Sequence, residues 1–133
     1  MTHSKGIKLV LTSSLLALLG VWSAGHGVHA KEMVATPSTA TVLLAELPRQ
    51  GAETYRLIHQ GGPFPYEKDG VVFGNRERML APQKRGYYHE YTVATPGERH
   101  RGTRRIVCGG APKAPDACFY TADHYASFRK IVP

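Results

Sequence analysis

The stretch "GYYHEYTVATPGERHRGTRRIV", Gly86 to Val107, decides how the chain is read. Tyr87 to Val93 is rich in aromatic and β-branched residues, "TPG" at 95–97 is a turn signal, and Thr103 to Cys108 is a second β-rich run, so the stretch predicts an antiparallel hairpin. A hairpin centred near Pro96–Gly97 sets Glu90 opposite Thr103, with Arg101 and Arg105 as diagonal neighbours on the same face. Diagonal pairs lie about 7–8 Å apart, within reach of long side chains, so two guanidinium groups flank one carboxylate. The other face carries Tyr87, His89 and Tyr91 beside Arg104 and Ile106, a mixture suited to packing and a solvent edge. Arg99, Arg101, Arg104 and Arg105 together are more cation than Glu90 can pair, which points to an anion that the sequence itself does not contain.

Working outward, "TVLLAEL" from Thr41 reads as a short strand, and Pro48 stands where a helix start tolerates proline. Ala52, Tyr55 and Ile58 recur at helical spacing, and "QGG" offers Gly61 or Gly62 for a left-handed cap. "GPFPY" is a proline-fixed loop, Asp69–Gly70 a turn, and "VVF" a brief strand. "CFYT" and "ASFRKIV" are two further short strands separated by "ADHY". The expected fold is α+β, one N-terminal helix packed on a four- to five-stranded antiparallel sheet.

Before this domain, Lys5 and Lys8 precede an apolar run of about 14 residues, "LVLTSSLLALLGVW", that ends in "AGHGVHA". That order is the one of a secretory signal peptide, and the run is short for a membrane span, so residues 1–30 are expected to be cleaved after Ala30. Residues 31–40, short of large apolar side chains, read as a flexible lead-in, and the domain as 41–133. Loss of the signal removes two lysines and no acid from the chain's 17 Lys+Arg and 10 Asp+Glu, leaving a formal charge of +5. Ten of the 17 cations are arginines, whose planar fork suits phosphate, so nucleic acid or another polyanion is the expected partner. In an oxidising compartment Cys108 and Cys118, either side of "GGAPKAPDA", read as a disulfide closing a small loop. A metal site would ask for more cysteine or clustered histidine, and a redox site for closer spacing.

Three segments, "GPFPY…DGVVF.NRE…L", "GYYHEYTV.TPG.R.RG.RRIV" and "YT.DHY.SF", resemble the microbial guanyl-specific ribonucleases of the barnase and RNase Sa type, closest to the RNase Sa branch, from about Leu47 to Ile131. The resemblance implies a secreted endoribonuclease that cleaves single-stranded RNA 3′ to guanosine through a 2′,3′-cyclic phosphate, later hydrolysed, with no metal and no cofactor. By motif position Glu90 is the general base, His124 the general acid, and Arg101 and Arg105 the phosphate clamp. In "VVFGNRE", Glu77 is the carboxylate for guanine N1 and N2, Asn75 and Arg76 present backbone amides to O6, and Phe73 and Tyr125 pack on the base. Gly74 departs from the larger polar residue common in the family but keeps its backbone amide. Cys108 and Cys118 depart too, because the RNase Sa branch bridges residues near its two ends. The resemblance also implies a monomer, no membrane association after signal cleavage, and an acidic cytoplasmic protein inhibitor as a partner.

Taken alone, these residues admit plainer readings. A glutamate between arginines is more often an ion-pair network than a base, a histidine in a turn is more often a surface residue than an acid, and Glu77 can pair with Arg76 or Arg78. His59, His89 and His100 have no counterpart in the implied mechanism. A catalytically silent basic domain that binds RNA or another polyanion is the alternative of a different class, since it explains the charge without needing Glu90, His124 and Glu77 together.

Overall fold

The computed structural model describes residues 40–133. The secretory signal read over 1–30 and the lead-in up to residue 39 lie outside the described residues. A three-residue strand, β1 (Thr41–Leu43), passes into a single 3-10 turn over Leu44–Glu46, so "TVLLAEL" is strand for less than half its length. Glu46 turns its carboxylate back to accept from the Leu43 N–H at 3.2 Å. Helix α1 (Arg49–Gln60) follows Pro48, whose carbonyl accepts from the amides of Gly51 and Ala52. Its inward stripe is Gly51, Thr54 and Ile58, with Tyr55 at the margin. The polar Thr54 belongs there because its hydroxyl donates to the carbonyl of Thr92 at 3.1 Å, tying helix to sheet. The helix stops at Gly61 (φ 82°), where the Gly61 and Gly62 amides donate to the carbonyls of Ile58 and Leu57.

The sheet has six strands: β1, β2 (Val71–Val72), β3 (Tyr88–Thr92), β4 (Arg105–Ala111), β5 (Ala114–Thr121) and β6 (Arg129–Val132), in the order β1-β6-β5-β4-β3-β2. It exceeds the expected count because the two edge strands, three and two residues long, join it, and it is mixed because β1 runs parallel to β6. All other pairings are antiparallel.

The register of the β3–β4 hairpin differs from the expected one. Glu90 pairs with Val107 and Thr92 with Arg105, so the midpoint lies between Glu98 and Arg99, two residues past Pro96–Gly97. Arg105 remains a diagonal neighbour of Glu90, but Arg101 leaves the strand and sits in the loop that follows the Val93 N–H to Arg104 carbonyl bond. The turn signal at 95–97 is real, since the Glu98 amide donates to the Thr95 carbonyl, but it bends a longer loop instead of closing the ladder.

Alternation along these strands gives the sheet two different faces. Tyr91, Val93, Ile106, Cys108, Cys118 and Tyr120 face α1 and form the main core with Val42, Leu47, Ile58 and Ile131. Tyr88 and Val107 face the other way and form a smaller core with Leu80 and Phe128. Val107 and Ile106 are both fully buried, so each side of β4 contributes roughly 2 kcal/mol per aliphatic side chain. Tyr91, on the face read as mixing packing with a solvent edge, falls to the packing side at 4% exposed, covered by the Phe64 ring among others.

The segment between the cysteines is also more ordered than a turn-rich loop. β4 runs to Ala111 and β5 starts at Ala114, leaving a two-residue turn, with a bulge at Gly109/Gly110. Gly110 has φ 102°, which a larger residue would adopt only under strain, and an added Cβ at Gly109 would collide with the Tyr87 ring. Cys108 and Cys118 are directly opposed in this ladder and form the disulfide, buried on the helix face. The double substitution Cys108→Ala/Cys118→Ala is expected to lower stability in urea unfolding by about 2–3 kcal/mol through loss of the loop constraint. A loss below about 0.5 kcal/mol would show that the ladder and bulge hold this hairpin without the bridge.

Candidate active site

Glu90 sits mid-strand on β3, on the face away from α1, with its side chain 13% exposed. Its two carboxylate oxygens have different partners. Arg101 Nη2 donates to Oε1 at 3.1 Å, and the Tyr125 hydroxyl donates to Oε2 at 2.9 Å. Burial, and after it the hydrogen bond to Glu90, push the Tyr125 hydroxyl above its ordinary pKa, so it stays a donor. Burial is also the main reason that Tyr88 and Tyr91 are raised.

Arg101 reaches Glu90 from the loop because Thr92 fixes it: Arg101 Nε donates to Thr92 Oγ1 at 2.9 Å. Thr92 is in turn held by Asp69, whose Oδ1 accepts from the Thr92 amide at 2.7 Å. Arg105, at the start of β4, is 3% exposed. Its Nη1 donates to the carbonyls of Arg101 and Arg104, which curls the loop around it. Its Nε, also buried, has no hydrogen-bond partner among the described residues. Buried donors are almost always paired, so an unpaired one on a guanidinium marks a place where an anion would be welcome.

His124 and Tyr125 follow β5 in a loop, and both have left-handed backbones, φ 55° and 71°. Asp123 holds the turn by accepting from the Thr121 hydroxyl and from the amide and hydroxyl of Ser127. The Ser127 hydroxyl is the main cause of an Asp123 pKa below its usual value. The loop is docked onto the arginine loop by Thr103, whose carbonyl accepts from the His124 amide at 3.0 Å and whose hydroxyl donates to the Ala122 carbonyl at 2.8 Å. Thr103, expected opposite Glu90, thus joins the histidine loop to the arginines.

The loop after β2 completes the site. Val71 pairs with Glu90, and the Phe73 amide donates to the Tyr88 carbonyl, so parity puts Phe73 on the Glu90 face. Asn75 takes a left-handed backbone (φ 47°) and its side chain braces the loop: Nδ2 donates to the Leu80 carbonyl and Oδ1 accepts from the Leu80 amide. With the Arg78 amide donating to the Asn75 carbonyl, residues 75–78 form a tight turn. A cleft of about 530 Å³ is lined by Phe73, Gly74, Asn75, Arg76, Glu77, Glu90, His124 and Tyr125. Sequence reasoning had singled out all eight; it had not found Val72, Met79 and Ala126, which complete the lining. The Phe73 and Tyr125 rings stack with centroids 5.1 Å apart, a flat apolar wall beside two carboxylates and an imidazole. Arg101 and Arg105 do not line this cleft; Arg101 reaches it through Glu90.

The positioning residues Asp69, Thr92, Thr103 and Asp123 were not expected. Asp69 and Thr103 carried signals of turn and strand, and nothing local in the sequence distinguished Thr92 or Asp123 from ordinary polar residues.

The chain matches the ribonuclease family over residues 30–132. Guanyl-specific ribonuclease Sa of Kitasatospora aureofaciens is 55% identical over 93 residues, 70% of this chain and 94% of that protein. Guanyl-specific ribonuclease St of Saccharopolyspora erythraea is 53% identical over 91 residues, 68% of this chain and 86% of that protein. Among solved structures, ribonuclease Sa2 in complexes with mononucleotides aligns with a TM-score of 0.68 at 48% identity, covering 74% of this chain and 98% of that one. Identity above one half across most of two guanyl-specific ribonucleases, on a shared fold, makes this chain a member of that ribonuclease family.

Proposed function

We propose that the chain is a secreted, monomeric endoribonuclease that cleaves single-stranded RNA on the 3′ side of guanosine. Glu90 takes the proton from the ribose 2′-hydroxyl, O2′ attacks the adjacent phosphorus, and the bond from phosphorus to O5′ breaks as His124 protonates that oxygen. The product is a 2′,3′-cyclic phosphate. In the second step His124 takes a proton from water, the hydroxyl attacks phosphorus, and the bond from phosphorus to O2′ breaks as Glu90 returns a proton to that oxygen, leaving a 3′-phosphate. Neither step requires a metal or a cofactor, because proton transfer and cationic stabilisation are supplied by side chains.

The observation that carries this reading is the buried Arg105, with an unpaired Nε, next to a glutamate already engaged by Arg101. Charge that develops on the phosphoryl oxygens would meet two guanidinium groups held rigidly by Thr92 and by loop carbonyls. Guanine is read by the turn at 75–78, with the amides of Asn75 and Arg76 to O6, the Glu77 carboxylate to N1 and N2, and the Phe73–Tyr125 wall against the base. Gly74 lines the same cleft through its backbone. Export by the signal over residues 1–30 separates the active domain from the producer's own RNA, and an acidic cytoplasmic inhibitor covering this basic site would protect it before export.

Incubating the mature domain with RNA in EDTA is expected to give fragments ending in guanosine 2′,3′-cyclic phosphate. Ends spread over all four bases, or RNA binding without cleavage, would overturn the reading. With a guanylyl dinucleotide, kcat/KM is expected to be bell-shaped in pH. Glu90→Gln and His124→Gln should each remove one limb and lower the rate at least about 100-fold, and a variant with near-native rates would remove that residue from the mechanism. Glu77→Ala should act on recognition alone. The preference for guanylyl over adenylyl dinucleotides is expected to narrow by about 2 kcal/mol, roughly thirtyfold, mainly by loss on guanine, because buried polar groups go unpaired. An unchanged ratio of kcat/KM would make Glu77 a surface charge.

A further inference from the structure

A second cleft, of about 510 Å³, lies against the same turn that forms the base site. The two share the segment Val72–Arg76, but the second contains none of Glu90, His124 or Tyr125; its other wall is Gln83–Gly86, and it reaches Tyr88. Its only ionisable side chains besides Tyr88 are Arg76, Lys84 and Arg85, so it is cationic with no acid to neutralise it. Tyr88 is not free for a ligand, since its hydroxyl donates to the Ala81 carbonyl at 2.7 Å. Lys84 and Arg85 are exposed and enter no hydrogen bond or ion pair that would occupy their charge among the described residues. At Gly74, a Cβ would lie 3.5 Å from Arg76 Cγ and 3.8 Å from its Nε, so the arginine stem runs along bare backbone on the divide between the clefts.

We propose that this groove binds RNA on the 5′ side of the cleaved guanosine, with Lys84, Arg85 and the Arg76 guanidinium on upstream phosphates. The inference rests on the guanyl-specific reading and adds a direction to it. Along β3 the phosphate clamp gathers at the Thr92 end, where Arg101 and Arg105 lie, whereas the groove opens beyond the other end, at Gly86. The two ends of β3, Tyr88 and Thr92, are about 13 Å apart at the usual strand rise, and Gly86 lies beyond the first of them. The 3′ part of the substrate leaves from the scissile phosphate at the clamp, with His124 protonating its O5′. The guanosine's own O5′ is the remaining exit, and a chain leaving there passes the base-reading turn, whose far side is this groove. A groove that holds cations and no reacting group suits phosphates that are held but not cleaved.

The test compares kcat/KM for three substrates with one guanosine each: GpC, the 5′-extended ApApGpC, and the 3′-extended GpCpApA. The variant Lys84→Gln/Arg85→Gln is expected to lose about tenfold on ApApGpC at low salt while GpC and GpCpApA stay within about twofold, and the log–log salt slope for ApApGpC should fall by roughly 0.7 for each phosphate released. Equal loss on all three substrates, loss on GpCpApA, or no loss at all would overturn the groove while leaving the guanyl-specific reading intact. Failure of the unaltered enzyme to cleave GpC would overturn both. Native rates on GpC in the variant also report that it is folded.

Discussion

The contact on which the site depends is the one between Glu90 and Arg101, 3.1 Å long and largely out of water. A largely buried carboxylate must be compensated by hydrogen bonds, and Glu90 receives them from two loops that are remote in sequence, one carrying Arg101 and the other Tyr125. Neither loop would hold its place unaided. Thr92 and Arg105 anchor the first, Asp123 and Thr103 the second, and Thr103 belongs to the first loop while binding the second. The carboxylate is thus the meeting point of a hydrogen-bonded ring that runs through β3, the arginine loop and the histidine loop.

The sheet makes that ring rigid by being apolar on both sides. The face toward α1 carries the large core and the disulfide, while the smaller core of Leu80, Tyr88, Val107 and Phe128 lies beneath the site. Phe128 also joins the aromatic wall, its ring 5.9 Å from Phe73 and 6.3 Å from Tyr125, so the wall that would receive a base rests on buried side chains. Under the proposed function, bases and phosphates would be met by groups whose positions are already fixed, which is what electrostatic stabilisation of a transition state requires.

The sequence was most legible where local chemistry decides structure. Pro48, the glycines after Gln60 and the β-rich run at 87–93 fall where their propensities put them. It was less legible where distant contacts decide. The turn at Thr95–Glu98 was a sound local signal, yet the ladder closes only at Thr92–Arg105, because Arg105 is pulled inward by the carbonyls it binds. Arg101 meets Glu90 as expected, but from a loop and by way of Thr92, whose role depends on a partner nine residues away. The glycine, alanine and proline residues between the cysteines have weak strand propensity, and pairing through Cys108–Cys118 with a bulge at Gly110 imposes the strand. Of the site, residue identities could be found by resemblance, whereas the positioning residues depend on three-dimensional neighbours.

Under the proposed function, Tyr125 would connect recognition to chemistry in a way that neither half of the site shows alone. Its ring stacks on Phe73, beside the turn at 75–78, and its hydroxyl is bound to Glu90. A base packed against the ring, as the proposed function has it, would therefore bear on the side chain that holds one oxygen of Glu90. The backbone needed for this geometry is costly, since two successive residues with side chains, His124 and Tyr125, adopt left-handed conformations at on the order of 1–3 kcal/mol each. Asp123 offsets that cost with bonds to Thr121 and Ser127, and the Ser127 hydroxyl keeps its carboxyl below the usual range, so it remains an ionised acceptor in mildly acidic solution. Strain at His124 and Tyr125 is thereby held by a residue outside the lining of the cleft, and the precision of the site depends on that turn as much as on Glu90 itself.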